Sequence, residues 1–162
     1  MTERNTAQYK GFTISMALVD FIPIIFFCIS GFIIFNRISS YLFIGGILLC
    51  TCAGLCKAGW KLIVSTLKKD YIILPKIFHV LMPIGFGVMA TSIFFRLEAW
   101  GMLLKNLLMM PSLLLIVLGC IGMGFMVVFA IKLNGNSAKN NWIEQLTNTV
   151  SQMFFAIALI IS

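Results

Sequence analysis

Nine residues carry the chemistry this sequence can offer: Asp20, Lys57, Trp60, Lys61, Lys76, His79, Glu144, Asn148 and Gln152. Each is charged or hydrogen-bonding, and each lies within or at the edge of a long apolar run. An ionisable group at membrane depth costs ~2.5–3.5 kcal/mol on insertion scales, so such groups pair with one another or mark a ligand path. Lys57 and Lys61 are four residues apart and share a helix face. That face continues through Gly54 and Cys50 to Gly46, and small residues at this spacing mark close helix packing. The two lysines are therefore expected on a packed side. Lys76, His79, Pro83, Gly87 and Ala90 form a second stripe, and Glu144, Asn148, Ser151 and Gln152 a third. Setting Asp20 and Glu144 against Lys57, Lys61 and Lys76 leaves one positive charge over, before His79 titrates. A pocket so charged favours a carboxylate, a phosphate or an anionic headgroup.

Other chemistries lack their residues. There is no Gly-x-Ser-x-Gly elbow, P-loop or dinucleotide motif, and no catalytic residue is assigned. Asp20 with His79 is the one acid–base pair that a lipid-modifying enzyme could use. His79 is the single histidine, so a bis-His haem site is excluded. Cys50, Cys52 and Cys56 look clustered, but Cys50 lies about 200° around a helix from Cys52. They cannot close a tetrahedral metal site alone. All five cysteines sit in apolar stretches, where cysteine behaves as a small apolar residue. The reading expects no metal and no cofactor. Pro83 would free the carbonyl of His79, and Pro23 that of Val19 beside Asp20. Gly119, Cys120, Gly122 and Gly124 make a small-residue surface for tight packing or a dimer contact.

The elements that position these residues follow from composition. Of 162 residues, 60% are hydrophobic and only 10% charged, with a mean hydropathy of +1.04. A soluble domain has about 25% charged residues, so the solvent implied here is lipid. A soluble enzyme, a disulfide scaffold and a disordered tail are excluded. The net charge of +7 is dispersed between apolar runs rather than gathered on one face, so no nucleic-acid partner is expected.

Apolar runs predict spans at about 12–35, 41–67, 71–95, 107–131 and 142–162. The fold class is all-α: a polytopic integral membrane bundle of five transmembrane helices in a single domain. Arg96 to Leu104 is expected to be a loop, and Lys132 to Ser137 a turn for its Asn-Gly content. Asn141 followed by Glu144 suggests the N-terminal cap of the last helix. That helix is polar in its first half, so the alternative is four spans plus a C-terminal interfacial helix. The first run is expected to be an uncleaved anchor.

Five spans place Arg4, Lys10, Lys68, Lys69, Lys132 and Lys139 on one side, against Arg37, Arg96 and Lys105 on the other. The positive-inside rule then puts the N-terminus in the cytoplasm, with the plasma membrane as the expected location. Tyr9, Tyr41, Tyr71, Trp100 and Trp142 sit near span ends, as interfacial aromatics do.

The functional expectation is a cytoplasmic-side polar pocket binding a small anionic or amphipathic ligand, in a transporter or transporter subunit. Membrane lipids and a homo-oligomer or partner membrane protein are the expected partners. The same spacing admits a plainer arrangement. If the second span ends at Trp60, Lys57 snorkels and Lys61, Lys76 and His79 are interfacial. Asp20 and Glu144 then complement helix dipoles, and the chain is a non-catalytic structural or assembly subunit.

Overall fold

The computed structural model describes residues 3–4, 11–133 and 137–162. Tyr9, Lys10 and the Asn134–Asn136 part of the expected turn lie outside the described residues. The chain is all-α, with helices α1 (Ile14–Val19), α2 (Phe21–Ile38), α3 (Tyr41–Leu67), α4 (Ile73–Phe95), α5 (Leu97–Leu107), α6 (Ser112–Lys132) and α7 (Ala138–Ile161). A two-residue strand β1 (Glu3–Arg4) pairs antiparallel with β2 (Asp70–Tyr71) in the α3–α4 turn.

Four stretches are long and apolar enough to cross a membrane: Ile14–Ile38, Tyr41–Leu67, Ile73–Phe95 and Ser112–Phe129. The first is two helices in line, broken at Asp20. Thr13 caps α1, its hydroxyl accepting from Met16 N at 3.3 Å. Ser40 does the same for α3, accepting from Phe43 N at 3.3 Å. α2 and α3 end on left-handed residues, Ser39 (φ 52°) and Lys68 (φ 53°). Such a residue turns the chain out of the helix, and a side chain there is uncommon.

Three expectations change. The stretch Arg96 to Leu104 is not a loop. It opens α5, whose Leu103 and Leu107 are buried with Ile38 and Leu159. The fourth span starts later than expected, since Leu108–Pro111 forms a turn before α6. Asn141 is also no cap. α7 starts three residues earlier, and the Asn141 amide donates to Ser137 O at 3.2 Å inside it.

The helices pack as two pairs, α3 with α4 and α6 with α7, joined through α2, which lies against both α3 and α7. The α3–α4 seam is closed by Gly46 and Gly85. A methyl group on Gly46 would sit 2.6 Å from Gly85 O, and one on Gly85 would sit 2.9 Å from Gly46 O. Backbones therefore meet where glycine leaves no side chain. Gly119 and Gly122 open the α6–α7 seam to Phe155 and Ser151 in the same way.

α7 runs beside α1 and α2. At one end the Gln145 amide donates to Met16 O at 3.1 Å. At the other, Arg37 donates to Leu159 O at 2.8 Å and to Ser162 Oγ at 2.7 Å. A guanidinium on the last carbonyls of a helix satisfies acceptors that have no partner within it.

Candidate functional site

The break at Asp20 sets the site. The residue ends α1 and begins α2, so its carboxylate emerges between helices rather than along one. Its Oδ2 lies 2.8 Å from Lys61 Nζ of α3. Both side chains are withdrawn from solvent, Lys61 to 3% exposure. Gln145 of α7 completes the group: its Oε1 accepts from Lys61 Nζ at 2.9 Å while its Nε2 holds the Met16 carbonyl. Three helices are thus tied by one neutral cluster, with opposite charges paired and the ammonium also held by the Gln145 carbonyl.

Next to this cluster a cavity of about 200 Å³ opens between the two helix pairs. α2 contributes Asp20, Pro23, Ile24 and Phe27, and α3 contributes Cys50, Thr51, Gly54 and Lys57. α4 supplies Phe78, Met82 and Phe86, α6 supplies Met123 and Met126, and α7 supplies Asn148 and Gln152. The walls are mainly apolar, with three phenylalanines and three methionines among them, and the charged and amide groups stand at one end. Lys57 has no carboxylate partner among the described residues. Its ammonium stands 4.9 Å from the centre of the Phe78 ring, whose face carries negative charge density. With Asp20 neutralised by Lys61, Lys57 is the uncompensated charge of the cavity.

Of the nine residues singled out in the sequence, Asp20, Lys57, Asn148 and Gln152 line the cavity. Lys61 stands behind Asp20. Glu144 is half-buried one position before Gln145 and does not line the cavity. Trp60 turns the other way, its Nε1 donating to the buried Asp70 at 2.8 Å. Lys76 and His79 are exposed on the outer face of α4, so His79 is not brought to Asp20. Among the described residues no three His, Cys, Asp or Glu side chains converge as metal ligands.

Gln145 and the apolar lining residues stand outside those nine. A signal for Gln145 was present: Asn141, Gln145, Asn148 and Gln152 recur at spacings of four, three and four, a single helical stripe. Phe78, Met82 and Phe86 likewise repeat at four. Chemically, the cavity can hold one anionic group against Lys57, give it amide hydrogen bonds from Asn148 and Gln152, and bury an apolar body against the rings and methionines.

No protein-family model, no curated protein and no solved structure matches this chain.

Proposed function

We propose that this is an integral membrane protein of five crossings that binds a small anionic or amphipathic ligand in the cleft between α2, α3, α4, α6 and α7, as a transporter or transporter subunit. The observation that carries the reading is Lys57: a cation without a carboxylate partner, in a mainly apolar cavity that also presents two side-chain amides. An unpaired ammonium in such a place is costly to maintain, and an anion about 4 Å away recovers about 4 kcal/mol at an effective dielectric of about 20. Counting α7 as a crossing is supported by its run beside α1 and α2, from Met16 to Arg37. The excess of lysine and arginine at the Lys68–Lys69 end supports a cytoplasmic setting for the Lys57 end of the cleft, in the plasma membrane.

The test is equilibrium binding of hexyl phosphate to the purified protein, beside Lys57→Gln and Lys57→Arg. Loss of the charge should weaken binding at least tenfold, and Lys57→Arg should restore part of it. Equal binding by all three proteins would overturn the assignment. Carriage across the membrane is measured separately, as uptake of the same anion into vesicles holding the protein.

A further inference from the structure

The cavity beside Lys57 is one half of a longer groove. α2 and α4 flank α3 and hardly pack against each other. Beyond the first cavity a second one, of about 300 Å³, lies between the same two helices over α3 and reaches Trp100 of α5. Its walls are almost entirely apolar, with Ile34 on α2, Ile47 on α3 and Met89 on α4. Phe27 and Phe86 line both cavities. Their rings meet edge to face, 6.4 Å between centroids at 71°, one ring from each flank. These two side chains stand where the two cavities meet, and Phe86 is half exposed.

Length and polarity say what fits. From Asp20 to Ile34 along α2 is ~21 Å at ~1.5 Å per residue. One leaflet is half of a hydrocarbon core ~30 Å thick, or ~15 Å. The groove thus exceeds one leaflet-length chain by about the depth of a headgroup. Charge and amides stand only at the Lys57 end. The far half adds only the Ser30 hydroxyl and the Trp100 indole N–H, both enclosed by the packing, whereas a water needs about two to four polar partners. A gap closed by two rings edge to face is one hydrocarbon chain wide. α4 and α6 also hardly pack together, so no helix–helix seam closes the groove on that side.

We propose that the groove binds a single-chain anionic lipid, drawn from the membrane, with its head at Lys57, Asn148 and Gln152 and its chain passing Phe27 and Phe86 to end near Trp100. This rests on the reading of the Lys57 end as an anion site. The second half is tested from exposed wall positions, Ala90→Leu and separately Ile93→Trp, which fill the far cavity without touching the core.

Binding of dodecyl phosphate, hexyl phosphate and didodecyl phosphate is measured by native mass spectrometry from a neutral detergent. Dodecyl phosphate should bind at least tenfold more tightly than didodecyl phosphate. Ala90→Leu and Ile93→Trp should each lower dodecyl phosphate binding at least tenfold and leave hexyl phosphate unchanged. Lys57→Gln should weaken both single-chain probes. If Lys57→Gln weakens them but neither filling variant changes the dodecyl-to-hexyl ratio, the chain site is wrong and the anion site stands. Equal binding of the two-chain probe also overturns the chain site. If Lys57→Gln changes nothing, the anion site fails, and the lipid assignment falls with it.

Discussion

Removing either member of the Asp20–Lys61 pair should cost far more than removing both. At 2.8 Å the Coulomb attraction is about 6 kcal/mol at an effective dielectric of about 20. Withdrawing the two ions from water costs several kcal/mol each, so the net value of the pair is small. A single replacement keeps one desolvation cost and loses the attraction. Asp20→Leu alone or Lys61→Met alone should therefore destabilise by about 3–5 kcal/mol, whereas the double variant should lie within about 2 kcal/mol of the parent. The coupling energy is then at least about 4 kcal/mol. Gln145→Leu should cost about 1.5–3 kcal/mol in the parent, where its amide serves an ammonium, and less in the double variant. Unfolding free energies from titration with a denaturing detergent in mixed micelles give every corner of the cycle. If the two single costs add to that of the double within about 0.5 kcal/mol, the pair is not coupled and the reasoning fails.

Gly46→Ala should cost about 1–3 kcal/mol by pushing α4 off α3, while Gly45→Ala, which meets nothing within 4 Å, should stabilise by about 0.5–1 kcal/mol; equal effects in the same titration would remove the close-approach argument. Trp60→Phe should lose about 1.5–3 kcal/mol with the hydrogen bond to Asp70 and leave hexyl phosphate binding unchanged. Weaker binding without loss of stability would put Trp60 in the site after all. Single cysteines at Ser39 and Ser162, in a background without native cysteines, should react with an impermeant maleimide from one side of the membrane, and those at Lys69 and Lys139 from the other. Reaction of Lys139 and Ser162 from the same side would lay α7 along the surface.

The convergence of Asp20, Lys57, Asn148 and Gln152 was legible because an ionisable or amide group in an apolar run has few places to go. The face of α4 was not. Polarity pointed to the stripe of Lys76 and His79, but residues near the end of a long apolar helix can extend their polar ends outward. The inward face of α4 is set by small and apolar residues instead, Gly85 and Met89 toward α3 and Phe78, Met82 and Phe86 toward the cleft. α5 escaped notice for a different reason. Its Trp100, Leu103 and Leu107 repeat at helical spacing, but Arg96, Glu98 and Lys105 broke the apolar run that a membrane-length window seeks. Gln145 was hidden by the choice between two stripes one residue apart, which only the packing of α7 on α2 decides.

The pair of Asp20 and Lys61 also bears on the order in which the molecule is made. Both residues belong to one helical hairpin, α1–α2 followed by α3, while Gln145 is more than eighty residues further along the chain. As the ribosome extends the chain, the acid and the base can neutralise each other before α7 exists, which leaves Lys57, among the described residues, as the one unpaired charge of the hairpin at that depth. The cleft does not exist yet at that moment, because its Met123, Met126, Asn148 and Gln152 wall is still to be synthesised. Pairing of the charges and assembly of the cleft are thereby separated in time, and the Lys57 half of the groove stays open until α6 and α7 arrive.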